Sequence, residues 1–126
     1  MGGKLLFIYG SLKRGGQLHH YMKGAKFIGE GTTLQKYPLL LAPSGWYPYL
    51  LNLPGRGKRV KGELYLVPLP LLRQLDRVEE TPFYYIRRPI LVKVGNRVVK
   101  AETYFKRKPI PFTPDQLLDH FPVTGG

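Results

Sequence analysis

The chain has no cysteine among its 126 residues. That excludes disulfides, thiolate nucleophiles and cysteine-ligated metal sites. Acids are scarce as well: eight Asp and Glu stand against 20 Lys and Arg, a formal charge of +12. No apolar run approaches the roughly 20 residues that cross a membrane as a helix. The first apolar run is cut short by a glycine loop, too abruptly for a secretory signal. A soluble, cytoplasmic protein with no membrane partner is expected. No internal repeat or low-complexity segment is evident.

What is present fits one domain spanning residues 1–126, since this length supports one core and not two. Hydrophobic residues make up 43% of the chain, so a packed interior is expected. The cation excess attracts polyanions. Its lysines and arginines are dispersed, with runs no longer than Lys106-Arg107-Lys108. Solubility accounts for such a pattern, and nucleic-acid binding beyond non-specific electrostatics is not expected.

Residues 4–9 read as a buried strand, near-continuous in apolar side chains. The stretch "FIYGSLKRGG" ends it in a glycine-bracketed basic loop, the kind that offers backbone N–H groups to an anion. Residues 17–23 suggest one or two helical turns, and residues 25–34 a second strand bent at Gly29 and Gly31. Residues 37–53 hold short extended pieces rich in Pro, Tyr and Leu, and residues 54–58 a surface turn. In "VKGELYLV", Val60, Gly62, Leu64 and Leu66 share one face, and Lys61, Glu63 and Tyr65 the other. Pro68 and Pro70 close that strand and open a helix. Residues 87–104 read as a hairpin turning at Gly95-Asn96, a type I′ or II′ signal. Thr113-Pro114 predicts a short helix to about His120, and the "VTGG" end is expected to fray. Strands and helices do not alternate regularly. This argues α+β with a largely antiparallel, curled sheet.

The helix segment "LLRQLDRVEE" carries the best evidence. With Leu71 at zero, Leu75 falls at about 40°, Leu72 at about 100° and Val78 at about 340°. Glu79 lands near 80°, among these apolar residues, while Arg73, Arg77 and Glu80 face away between about 180° and 240°. Asp76 sits at the edge of the apolar face. An unpaired carboxylate turned toward a core is costly and responds with a raised pKa, which suits a general acid or base. The wheel leaves two bland alternatives open: escape to solvent at the helix end, or pairing with an arginine such as Arg87.

Other chemistries fail on spacing. Ser11 lies in "YGSL" and not in G-x-S-x-G. His19 and His20 are adjacent, so they do not form an i, i+4 metal pair. Gly10 and Gly15 have P-loop spacing, yet Gly16 and Gln17 stand where lysine and Ser/Thr belong. No metal or cofactor is expected. One glutamate, a glycine loop and aromatic walls remain. One chemistry needing only these is intramolecular acyl transfer, in which the substrate brings its own nucleophile.

Taken in order, "YGSLKRG", "VKGELYLV", "LDRVEE", "YYIRRPILV" and "AETYF" resemble the γ-glutamylcyclotransferase-like family, in its γ-glutamylamine cyclotransferase and AIG2-like branch. The resemblance covers nearly the whole chain. It implies a small, mostly antiparallel β-barrel with short helices packed around it. It implies conversion of a γ-glutamyl amine or amide to 5-oxoproline and a free amine. It assigns the γ-glutamyl cradle to Tyr9, Gly10, Ser11 and Leu12, and proton transfer to Glu79. Separately, a monomer or weak dimer is expected.

The chain departs from the family pattern twice. His19-His20 replaces an Asn-His pair. Glu80-Thr81-Pro82 follows Glu79 where the family often has Gly-Tyr, which bears on substrate identity. Tyr84 or Tyr85, with Arg87, matches an aromatic-then-arginine stretch that carries no catalytic assignment. The competing reading is a non-catalytic module of the same fold, binding nucleic acid or another anionic ligand by charge and by stacking on Trp46, Tyr47, Tyr49 and Phe83.

Overall fold

The second half of strand β1 (Gly3–Ile8), Leu6, Phe7 and Ile8, is buried on both faces, which is why that stretch is continuously apolar. Phe7, with Tyr9 just beyond the strand, points into one core cluster; Leu6 and Ile8 point into another. The computed structural model describes residues 2–122. The "VTGG" end, expected to fray, lies outside the described residues.

Among the described residues, β1 is followed by β2 (Lys26–Tyr37), β3 (Leu39–Leu41), β4 (Pro48–Leu50) and β5 (Lys58–Pro68). Helix α1 (Leu69–Val78) and the strands β6 (Tyr85–Val94) and β7 (Arg97–Lys106) complete the order. Single 3-10 turns occupy His19–Met22 and Pro114–Gln116. Strands β1-β5-β2-β6-β7 close a barrel, and β3 pairs with β4 in a separate two-stranded sheet. The barrel's pairings are antiparallel except where β1 meets β7, at Leu6 and Glu102. No described helix is long and apolar enough to cross a membrane.

The two faces of β5 explain the layering. Val60 and Leu64 fill the barrel interior. Tyr65 and Val67 pack outward beneath Leu72 and Leu75 of α1. The simple alternation therefore needs correction. Leu66 keeps the interior phase but is exposed near the strand's end, while Glu63 and Tyr65 on the opposite face are buried. A helix laid on the barrel covers what would otherwise be its wet side.

Gly31 and Gly62 face each other across β2 and β5. A Cβ on Gly62 would lie 2.4 Å from the Ile8 carbonyl oxygen and 2.6 Å from Phe7 Cζ. One on Gly31 would lie 2.6 Å from Val92 Cγ1. Glycine is what lets the strands approach so closely here. The bend expected near Gly29 is present as a register shift between Phe27 and Gly29.

The hairpin forms as expected, and its turn resolves to type II′: Gly95 has φ +59° and Asn96 does not join it at positive φ. The C-terminal helix expected to reach His120 is a correction. It stops after Gln116, with Thr113 and Gln116 forming a capping box. The next residues find extended partners instead. The Leu118 N–H donates to the Leu39 carbonyl, and the Asp119 carbonyl accepts from Lys61 N–H.

Candidate active site

A cavity of about 500 Å³ opens between the end of β1, the β3–β4 region and the end of α1. Tyr9, Gly10, Ser11 and Leu12 line one side, and Glu79 lines the other. All five residues picked out from the sequence thus border one space.

The loop after β1 is folded tightly on itself. Lys13 N–H donates to the Gly10 carbonyl, Gly16 N–H to Lys13, and Leu18 N–H to Ser11. Gly16 has no room for a side chain, since a Cβ would fall 2.2 Å from the Ser11 carbonyl oxygen. Gly10 is pressed on by Pro48, whose ring carbons would lie 3.0 Å from a Cβ. Among the described residues, the N–H groups of Gly10, Ser11 and Leu12 donate to no protein acceptor. They remain available to a bound group.

The basic pair of this loop has a different job. Neither Lys13 nor Arg14 lines the cavity. Arg14 donates to the buried Glu63 through its backbone N–H at 3.0 Å and its Nε at 3.2 Å. Its guanidinium also stacks 4.1 Å from the centre of the Phe27 ring. Lys13 Nζ donates to the Phe121 carbonyl at 2.7 Å. These contacts anchor the loop from behind and leave its backbone to face the cavity.

Glu79 is the residue that ends α1, and its N–H still donates to the Leu75 carbonyl at 2.9 Å. The helix then closes by a Schellman pattern: Glu80 N–H to Arg77, and Thr81 N–H to Asp76. That pattern needs a left-handed residue, usually glycine. Here it is Glu80, at φ +53°. The Glu79 carboxylate is partly buried, and among the described residues it has no hydrogen-bond or ion-pair partner. Its oxygens stay open to the cavity. Burial, then the like charge of Glu80, push its carboxyl up to about 7. The alternative of pairing with Arg87 is not realised, because Arg87 is committed to Asp76 and Glu102.

Tyrosines surround this carboxyl. Tyr9 donates its hydroxyl to the Tyr104 carbonyl, and Tyr85 donates to the Pro48 carbonyl at 3.0 Å. Burial, then Tyr85 and Glu79, hold the Tyr9 hydroxyl well above the usual phenol range. Burial, then Glu79, does the same to Tyr85. Both stay protonated donors at neutral pH. Trp46, Tyr47, Tyr49, Tyr84 and Lys106 complete the outer wall. Phe83 is highly exposed and takes no part in it.

Sequence reading did not single out Tyr104, Lys106 or Pro48. They reach the cavity through barrel closure and the β3–β4 excursion, which leave no local spacing signal. Among the described residues, no three His, Asp or Glu side chains converge as metal ligands.

The profile of the family described as gamma-glutamyl cyclotransferase, AIG2-like, matches residues 6–122. Gamma-glutamylaminecyclotransferase C of Danio rerio is 40% identical over 123 residues, covering 89% of this chain and 79% of its own length. Gamma-glutamylaminecyclotransferase of Homo sapiens is 41% identical over 95 residues, covering 71% and 62% respectively. The crystal structure of an AIG2-like protein from Mus musculus superposes with a TM-score of 0.85 at 31% identity. That match covers 97% of this chain and 90% of the mouse chain.

Proposed function

Because this chain belongs to the gamma-glutamyl cyclotransferase, AIG2-like family, we propose that it converts a γ-glutamyl amine or amide to 5-oxoproline and the free amine. One observation carries this reading: the Glu79 carboxylate and the N–H groups of Gly10, Ser11 and Leu12, all without a partner among the described residues, share one cavity.

The chemistry follows from that pairing. The substrate's γ-carbonyl lies against the loop, whose N–H groups receive the negative charge that grows on its oxygen. Glu79 takes a proton from the α-ammonium. The freed nitrogen attacks the γ-carbonyl carbon and closes a five-membered ring. Glu79 returns that proton to the leaving nitrogen as its bond to carbon breaks, and the ring nitrogen gives its second proton to the departing amine, which leaves as an ammonium. Ring closure within one bound molecule needs no protein nucleophile, and holding the reacting atoms together supplies much of the rate. A carboxyl near pH 7 can both accept and return a proton in neutral solution.

The direct test is to incubate the purified protein with γ-glutamyl amines, γ-glutamyl dipeptides and glutathione, and to measure 5-oxoproline. At least one γ-glutamyl compound should yield it in step with free amine. Release of glutamate instead would mean that water is the nucleophile and would overturn the cyclisation.

The strained helix end gives a second prediction. Glu80→Gly relieves a left-handed conformation that costs about 1 kcal/mol for a residue with a Cβ. The variant should be more stable by that amount in denaturant titration. It also removes the charge beside Glu79, so the Glu79 carboxyl should ionise at lower pH. The acid limb of kcat/KM, expected near pH 7 in the parent, should move down. A limb that stays in place would show that Glu80 does not influence the proton carrier.

A further inference from the structure

Asp76 lies one turn before Glu79 on α1 and takes no part in the chemistry above. Its carboxylate accepts from Arg87 Nε at 2.9 Å, Arg87 Nη2 at 3.1 Å and the Tyr104 hydroxyl at 2.6 Å. A two-pronged guanidinium fixes direction as well as distance. The remaining fork nitrogen, Nη1, donates to Glu102, so the arginine is itself held. Arg87 and Tyr104 are cross-strand partners on β6 and β7, which gives both donors a rigid base. The Arg87 and Asp76 side chains are only 23% and 24% exposed, so solvent screens the pair less than a surface one.

The Asp76 backbone acts on the other side. Its carbonyl accepts from the Thr81 N–H at 2.9 Å and the Thr81 hydroxyl at 3.1 Å, closing the chain just past Glu79. Tyr104, in turn, gives its carbonyl to the Tyr9 hydroxyl. A continuous line of contacts therefore runs from the last turn of α1, through the β6–β7 hairpin, to the loop. Leu72 and Leu75 seat the helix on the barrel. Apolar packing is non-directional, however, and does not set where the end of the helix aims a carboxylate.

We propose that Asp76 is a positioning residue, clamped by Arg87 and Tyr104 so that the last turn of α1 holds Glu79 opposite the 9–12 loop. Its kinetic consequence rests on the reading of Glu79 as the proton carrier; its geometric consequence does not.

The test is a graded series, Asp76→Ala, Asp76→Asn and Tyr104→Phe, with crystal structures and steady-state kinetics for each. Asp76→Ala should let Glu79 swing away from Tyr9. It should lower kcat on the order of 100-fold, the cost of about 1 Å of misplacement, with KM nearly unchanged. Asp76→Asn and Tyr104→Phe should fall in between. A purely structural ion pair would lower the melting temperature and leave kcat per folded molecule intact, and that result overturns the proposal. So does a variant in which Glu79 keeps its place beside Tyr9. Should Asp76→Ala fail to fold, Tyr104→Phe removes one hydroxyl only and decides by the same two readouts. If Glu79→Gln turned over as fast as the parent, the proton-carrier reading would fail instead. The position of Glu79 in these variants would still judge the clamp.

Discussion

Glu79→Gln is expected to fold normally and to lose turnover by about two to four powers of ten, the usual share of a general acid–base group. Glutamine keeps the shape and cannot carry the proton. The same variant has a second signature, in stability. The folded-state pKa is raised from 4.5 to about 7. Between those values the folded protein binds more protons than the unfolded chain, so this group's contribution falls as pH rises. It is fully present below pH 4.5 and lost once pH passes about 7. Glutamine has no charge to bury. The variant should therefore melt higher than the parent above pH 7, and the gap should close toward pH 4. An inactive variant that gains nothing at high pH would mean the carboxylate is well solvated in the free protein.

A large, purely structural effect is expected at Gly62. A methyl there meets the Ile8 carbonyl oxygen and the Phe7 ring at distances no real Cβ tolerates. Neither neighbour can yield cheaply: one is backbone, and the other is a fully buried ring. Overpacking of this kind costs about 3 kcal/mol, a large fraction of the roughly 5–15 kcal/mol that holds a domain together. Gly62→Ala should lower the melting temperature by roughly 10 °C. Because Ile8 leads directly into the loop, KM should rise as well. A thermal melt matching the parent's would show that the barrel wall has slack at this crossing.

The parts of this fold legible in the sequence are those written in local periodicity. Strand β1, the α1 wheel and the Gly95-Asn96 hairpin each follow from a few neighbouring residues. Glu79 was legible for the same reason, since a 3.6-residue period alone turns it toward the apolar side. The exposure of Leu66 was not, because alternation cannot say how far along a strand the barrel interior reaches; nor was the burial of Tyr65, because alternation cannot say that a helix will cover the outer face. Nor was the role of Lys13 and Arg14. A basic pair in a glycine loop looks like an anion site, and only the 49 positions separating Arg14 from Glu63 explain why it is an anchor instead. The aborted C-terminal helix has a similar cause: Thr113-Pro114 starts a helix well, and distant strand groups at Leu39 and Lys61 then outcompete it. Local signals fix elements and some side-chain directions; the second wall of the cavity comes from contacts the chain makes far from home.

How the chain spends its few acids shapes its surroundings. Glu30, Glu63, Asp76, Glu102 and Asp119 are all engaged by cations, and Glu79 faces inward. Little negative charge is left to offset the remaining lysines and arginines. To an approaching molecule the outside is nearly single-signed, and it draws anionic metabolites from beyond contact range in dilute buffer. Added salt shortens that reach to about 10 Å at 0.1 M, so encounter becomes slower in strong electrolyte even though the cavity itself is untouched.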